Sequence, residues 1–133
     1  MAHPGRNNIY EATIKRMVTE ALEAQEQEFA QQRSTDSDEQ LLGYLRYCAA
    51  VLGHTPWPRE IVGGSFIEER FGSWQNAFIR AKLPAPTTPD KVSNFARYQE
   101  ETERQKVIYR QKKAEKKQKA QQRLKVQKEK QAL

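Results

Sequence analysis

Apolar residues recur at helical spacing through most of the first 84 positions, and polar or glycine-rich breaks separate the runs. Residues 1–7 are predicted to be disordered. Residues 8–33 contain no Pro or Gly and are predicted to form one amphipathic helix. Its narrow apolar stripe comprises Ile14, Met17, Val18, Ala21 and Leu22. The stripe needs a cover, for which the chain folding back is the simpler interpretation and a second copy or another protein is the alternative.

A second helix is predicted after the polar break at residues 33–40. Ser37 and Gln40 have the spacing of a capping box, in which each side chain satisfies a backbone donor of the first turn. Gly53 is predicted to end the helix. The buried face is predicted to comprise Leu41, Leu45, Cys48, Ala49 and Leu52.

The stretch HTPWPREIVGG follows and carries two prolines and two glycines. Thr55 is predicted to cap a short helix with Pro56 at its first position. The glycine pair at 63–64 is predicted to end this helix. A second capping box, formed by Ser65 and Glu68, is predicted to open the helix that follows.

The stretch RFGSWQNAFIRAKLP at residues 70–84 is predicted to join two helices. Gly72 can end the first helix in the left-handed conformation, and Ser73 can cap the next. The closing helix is predicted to run from Trp74 to Leu83. Its apolar face comprises Trp74, Ala77, Phe78 and Ala81.

Residues 85–89 are predicted to form a Pro-rich linker, and residues 90–133 a charged helix with a basic, partly disordered tail. Thr88 is predicted to cap this helix with Pro89 at its first position. Beyond Arg110 the sequence has no aromatic and few apolar residues, so it cannot bury enough surface to fold alone. Its Ala, Lys, Gln and Glu content favours a helix once the charge is neutralised.

These elements predict an all-α fold. A small helix-turn-helix-like helical domain is expected near residues 36–84, flanked by an N-terminal amphipathic helix and a long basic C-terminal helix. On periodicity alone, a three- or four-helix bundle without a nucleic-acid function fits the pattern as well.

The charge is divided unevenly along the chain. Residues 1–90 carry 9 Lys or Arg and 12 Asp or Glu, a net charge of −3, whereas residues 91–133 carry 14 and 5, a net charge of +9. A basic end on a mildly acidic body favours a tail that binds a polyanion over a tail that only keeps the protein soluble. The predicted phosphate contacts are Arg110, Lys112, Lys113, Lys116, Lys117, Lys119, Arg123, Lys125, Lys128 and Lys130.

The sequence argues against several other classes of function. Cys48 is the only cysteine, which excludes an intramolecular disulfide and favours a reducing compartment, so we expect the cytoplasm. No apolar run approaches the roughly 18 residues that cross a bilayer, so no membrane partner is expected. His54 has no ligand partners at metal spacing, and neither a metal nor a cofactor is expected. Trp74 is expected in the core. For Trp57, both packing against the domain and base stacking are compatible with the sequence.

The segment from Asp38 to Pro84 resembles the homing-endonuclease-associated repeat, a short helical module found beside nuclease domains and in stand-alone proteins. The resemblance rests on the LL-x₂-L spacing, on the Leu-Gly-His-Thr-Pro break at 52–56, and on the Arg-Phe-Gly-Ser-Trp joint at 70–74 followed by Ala77 and by the Ala-Lys-Leu of 81–83. It covers 47 of the 133 residues. It implies a compact helix-turn-helix-like module that helps a nuclease or regulator to hold DNA.

Cleavage is not implied, because the chain has no His-Asn-His cluster, no Gly-Ile-Tyr motif and no paired-carboxylate motif of the homing-endonuclease type. No catalytic residue is therefore expected. The repeat itself, residues 36–84, has 5 basic and 6 acidic residues and thus no electrostatic footprint of its own. Glu68 and Glu69 stand immediately before Arg70, where carboxylates would meet phosphates unfavourably.

We therefore predict a non-enzymatic nucleic-acid-binding accessory or regulatory protein, with DNA favoured over RNA. The tail would supply salt-dependent affinity. The repeat would orient on the duplex through Arg59, Ser65, Glu69 and Arg70. Two alternatives stay open: a protein-interaction or assembly factor that uses the long helices, and an RNA- or ribosome-associated protein whose basic helix threads along rRNA.

Overall fold

Five α-helices and one 3₁₀ turn make up the computed structural model, which describes residues 4–132 and, within them, the side chains of residues 8–89 and 95–132. The elements are α1 (Pro4–Arg33), α2 (Asp38–Leu52), the 3₁₀ turn (Pro58–Glu60), α3 (Gly64–Phe71), α4 (Trp74–Arg80) and α5 (Asp90–Gln131). No strand occurs in this range, and the all-α prediction is confirmed.

The core of the repeat lies between α2, α3 and α4, with Phe29 of α1 closing one side. Its most completely buried side chains are Leu41, Leu42, Leu45, Ile67 and Ala77. Trp74 is buried as expected, and its indole Nε1 donates to the carbonyl of Pro56 at 3.0 Å. Leu52 departs from the predicted face, because 39% of it is exposed at the end of α2.

Several local start and stop signals are confirmed. The backbone N–H of Gln40 donates to Ser37 Oγ at 3.2 Å, and the backbone N–H of Ser37 donates to Gln40 Oε1 at 2.8 Å, which completes the capping box. Gly53 and Gly72 adopt left-handed conformations with φ of 80° and 87°. Ser73 Oγ accepts from the backbone N–H of Asn76 at 3.0 Å.

The last helix of the repeat is shorter than predicted. α4 ends at Arg80, and Lys82 adopts a left-handed conformation with φ of 61°. The backbone N–H groups of Lys82 and Leu83 then donate to the carbonyls of Ile79 and Phe78 at 3.0 and 2.9 Å. This is a Schellman motif, which terminates the helix three residues before the predicted end.

Three predicted caps are wrong, and two of them lie in the repeat. Thr55 does not cap a helix: the short element is a 3₁₀ turn that begins at Pro58, and Thr55 Oγ1 is buried without a hydrogen-bond partner among the described residues. Ser65 does not open α3 either, because the helix has already begun at Gly64.

The glycine pair opens α3 instead of ending the short helix. Gly63 is the N-cap, with φ of 83°, and its N–H donates to Glu26 Oε2 at 2.9 Å. A Cβ on Gly63 would overlap the ring of Phe29, and a Cβ on Gly64 would overlap the carbonyl of Pro58. The close approach of these segments therefore requires glycine at both positions.

α1 and α5 pack as an antiparallel pair, with Tyr10 against Tyr109 at a ring distance of 5.4 Å. Ile14 and Val18 are buried, whereas Met17, Ala21 and Leu22 are half-buried, so most of the apolar stripe of α1 is covered within the chain, as folding back predicts. α1 begins at Pro4 and not at residue 8, so residues 4–7 are helical where disorder was predicted. Residues 1–3 lie outside the described range.

α5 is one continuous helix to Gln131, whereas a partly disordered tail was predicted. Pro89 is its N-cap, so Thr88 does not cap it. Thr88 instead accepts a hydrogen bond through its carbonyl from Trp57 Nε1. Trp57 is half-buried against the repeat core and thereby holds the linker to the domain.

Candidate nucleic-acid interface

The second half of α5, residues 110–131, is a basic helix that is exposed along its whole length. It carries ten Lys or Arg and two Asp or Glu, a net charge of +8, and we call it the basic half. The predicted contacts present on it are Arg110, Lys112, Lys113, Lys116, Lys117, Lys119, Arg123, Lys125, Lys128 and Lys130.

The cations of the basic half are not engaged by the rest of the protein. None of the ten forms an ion pair within the part of the chain that the structure describes. By contrast, Arg97, Arg104 and Lys106 in the preceding part of α5 each pair with a glutamate. The side chains of the described residues therefore do not neutralise these ten cations through ion pairs.

The basic half also extends beyond the helix that supports α5. Tyr109 lies against Tyr10, and the antiparallel α1 begins only six residues earlier, at Pro4. At about 1.5 Å per residue, α5 runs on for roughly 24 Å past the start of α1. A rod of this kind can approach a polyanion from more than one side.

Arg70 is held in place by α2. Its Nε donates to Asp38 Oδ1 at 3.1 Å, and its guanidinium also donates to the carbonyl of Asp36 at 2.9 Å. Arg80 reaches the same carboxylate, with Nη2 3.4 Å from Asp38 Oδ2. These contacts tie α3 and α4 to the start of α2, so the Arg70 guanidinium has a structural partner to give up before it binds phosphate.

Arg59 and Ser65 lie elsewhere, in an apolar groove between α1, α3 and α5. The groove is lined by the aromatic rings of Phe95 and Tyr98 and also by Glu23 and Glu26 of α1. Glu69 is exposed one turn after Ser65 on α3. The structure thus brings Arg59 and Ser65 together but places Arg70 with α2, and the role of these four residues in binding stays a prediction.

Arg97 is the residue that sequence reasoning missed. Its guanidinium donates to the carbonyls of Arg59 and Ile61 at 3.2 and 3.0 Å, and to Gln25 Oε1 and Glu26 Oε1 at 3.2 and 3.0 Å. These contacts orient α5 against α1 and the 3₁₀ turn, and so set the direction of the basic half. Its acceptors are 36 to 72 residues away in the sequence, so its contacts could not be predicted locally. Its position between Phe95 and Tyr98 was the only local sign of a structural role.

The remaining chemically interesting side chains serve the fold. His54 Nε2 lies 2.5 Å from Glu60 Oε1, and no cluster of metal-binding side chains occurs among the described residues. Burial raises the pKa of Cys48 and that of Tyr44, whose hydroxyl donates to the carbonyl of Val62 at 2.6 Å. A buried thiol with a raised pKa is a packing residue and a poor nucleophile.

None of the described helices is both long and apolar enough to cross a membrane.

Comparison with known proteins identifies the central segment. The family model described as homing endonuclease associated repeat matches residues 36–84, which span α2 to α4. No curated protein and no solved structure matches the chain. The match confirms the resemblance of this segment to the repeat. The segment that matches this family model, residues 36–84, is set between two long helices.

Proposed function

We propose that this protein is a non-enzymatic, nucleic-acid-binding accessory or regulatory protein that prefers DNA to RNA. One observation carries the proposal: ten exposed cations without ion pairs in the described chain stand on a helix that extends beyond the body of the protein. The repeat family, with its link to nucleases and DNA, supports the choice of polymer. We also propose a cytoplasmic location, since a single cysteine suits a reducing compartment.

The charge distribution supports a division of labour. Residues 1–109 carry 13 Lys or Arg and 15 Asp or Glu, a net charge of −2, so a polyanion is attracted by the basic half and not by the body. Each phosphate that a cation neutralises releases counterions, which makes the affinity fall with salt. The repeat would then orient the protein on the nucleic acid. Arg59 and Ser65, which lie beside α5, are better placed for this than Arg70, which lies against α2.

The test is fluorescence-anisotropy binding of the intact chain to duplex DNA and to structured RNA across a salt series. A matched chain truncated after Tyr109 keeps the contacts of α5 with α1 that Tyr109, Glu101 and Arg97 make. With six to ten phosphate contacts, affinity should fall by about 10³ to 10⁵ between 50 and 200 mM salt. The truncated chain should lose most of the binding. No binding of the intact chain at low salt would refute the proposal.

A protein-interaction or assembly role is the second candidate, and one observation favours it. Tyr47 and Val51 lie one turn apart on the outer face of α2 and are 67% and 68% exposed. Exposed apolar side chains at helical spacing are typical of a protein contact. A molar mass that rises with concentration, together with a shallow salt dependence of nucleic-acid binding, would favour this role.

A further inference from the structure

The cations of the basic half form two rows on opposite flanks of the helix. With a step of about 100° per residue, five of them fall within a sector of about 60°. The first row comprises Lys112, Lys116, Lys119, Arg123 and Lys130. The second row is broader: it spreads over about 120°, is centred about 150° away from the first, and comprises Arg110, Lys113, Lys117, Lys125 and Lys128.

A strip of glutamines lies between the two rows. Gln111, Gln118 and Gln122 fall within about 40° of one another and about 105° from the centre of each row. Glu115 and Glu129 share this strip. All five side chains are exposed, so a ligand that contacts both cation rows can also contact the strip.

We propose that the basic half lies in the major groove of B-form DNA, with one cation row toward the phosphates of each strand and the glutamine strip toward the base edges. This proposal rests on the proposed function of DNA binding. An α-helix with its side chains is about 10–12 Å across, which matches a major groove about 12 Å wide. Cations on both flanks then reach both strands.

The chemistry of the strip fits this placement. A glutamine side chain can donate to N7 and accept from the N6 amino group of adenine at the same time. A glutamate can accept from the amino group of cytosine, so Glu115 and Glu129 are tolerated where direct phosphate contact would repel them. Duplex RNA is a poorer fit, because its A-form major groove is too narrow for side chains to read.

A helix that only rests on a polyanionic surface would use one row. The two arrangements are separated by neutralising each row in turn, with all five cations of that row changed to Gln in the intact chain. In the groove, each variant should reduce the slope of log affinity against log salt by about 4.5, since each of the five lost phosphate contacts contributes about 0.9. If one variant keeps the full slope and the other loses nearly all of it, the groove placement is wrong.

The contribution of the glutamine strip is tested by a pair of double variants. Gln118→Ala with Gln122→Ala removes two amides from the strip, and Gln127→Ala with Gln131→Ala removes two from the opposite face as the control. The readout is the sequence preference among random duplexes, together with protection of guanine N7 from methylation, which reports the major groove. The strip variant should lower the preference at one or more positions by about 5-fold or more, and the control should leave it unchanged.

Failure of this inference differs from failure of the proposed function. DNA binding that depends on the cations but gives no protection of guanine N7, and the same preference in both double variants, would overturn the groove placement alone. Structured RNA bound as tightly as duplex DNA would overturn the groove placement and the proposed preference for DNA, but not nucleic-acid binding itself. Absence of any binding by the intact chain would remove the proposed function and this inference together.

Discussion

Arg97 of α5 and Glu26 of α1 are joined by an ion pair in which the guanidinium Nη2 lies 3.0 Å from Glu26 Oε1. The other carboxylate oxygen of Glu26 accepts the backbone N–H of Gly63 at 2.9 Å, at the start of α3. One carboxylate thus connects the two long helices to the repeat. The side chains are 16% and 30% exposed, so water competes only weakly for these bonds.

Arg97→Ala should lower the free energy of unfolding by about 2–3 kcal/mol, because it breaks a largely buried pair and leaves the carbonyls of Arg59 and Ile61 without this donor. Urea unfolding followed by circular dichroism measures the change. Lys106→Ala is the control, since its pair with Glu103 is a surface contact and should contribute less than about 0.5 kcal/mol. Equal stabilities of the two variants would contradict this role of Arg97.

Gly64→Ala should destabilise the repeat by about 3 kcal/mol or more, because the added Cβ meets the backbone of Pro58, which cannot move aside as a side chain can. Gly43→Ala on α2 is the matched control. Its Cβ would meet nothing within 4 Å, so the change should stabilise the helix by about 0.5–1 kcal/mol. Thermal unfolding of both variants gives the comparison, and shifts of the same sign would refute the packing argument.

Truncation after Tyr109 should leave the melting temperature within about 2 °C of that of the intact chain, since residues 110–132 are exposed throughout. The helical circular dichroism signal per molecule should fall in proportion to the 22 helical residues removed. A longer truncation, after residue 94, would uncover Val18 and remove Arg97, and should lower the melting temperature sharply. A large drop for the first truncation would show that the basic half packs on the body.

The stability of the protein should decrease above about pH 10. Burial raises the pKa of Tyr44 above its ordinary value of 10.0, so the folded state holds this proton at a pH where the unfolded chain releases it. This contribution is fully present below pH 10 and is lost as the pH rises toward the folded pKa, by up to about 1.4 kcal/mol per pH unit. The measurement is the free energy of unfolding between pH 8 and 11.

Tyr44→Phe tests the assignment of that pH dependence. It should cost about 1 kcal/mol at neutral pH, because the hydrogen bond to Val62 is lost, and it should make the alkaline decrease shallower. The part due to Cys48, whose pKa burial also raises, would remain. Tyr47→Phe is the control because Tyr47 is 67% exposed, and its pH profile should match that of the unaltered protein. Identical profiles for both variants would assign the effect to other groups.

Local signals in the sequence were reliable where their partners lie within one helical turn. The capping box at Ser37, the left-handed glycines at 53 and 72, and the cap at Ser73 all formed as predicted. The same signals failed at Thr55, where the short element begins only at Pro58, and at Ser65, where α3 begins earlier with Gly63 held by Glu26 and Gly64 close to the backbone of Pro58. A cap is a competition between local and distant acceptors, and the sequence shows only the local ones.

For the candidate site, the sequence showed where the basic residues stand along the chain. It did not show which side chains they contact in the folded protein. The concentration of positive charge after Tyr109 follows directly from the ten basic residues in that part of the sequence. The separation of Arg70 from Arg59 could not be read, because Arg70 is engaged by Asp38, which lies 32 residues before it. Such pairs depend on how the helices pack and carry no periodic signature.

Sequence alone was thus sufficient for the helices, for most of their ends, for the repeat at residues 36–84 and for the uneven charge, because these depend on periodicity, composition and contacts within a turn. The tertiary structure decided that α5 covers the stripe of α1, that Arg97 sets its direction, and that the basic half extends beyond the body. Those features depend on side chains far apart in the chain, which only the packing of the complete fold brings within hydrogen-bonding distance.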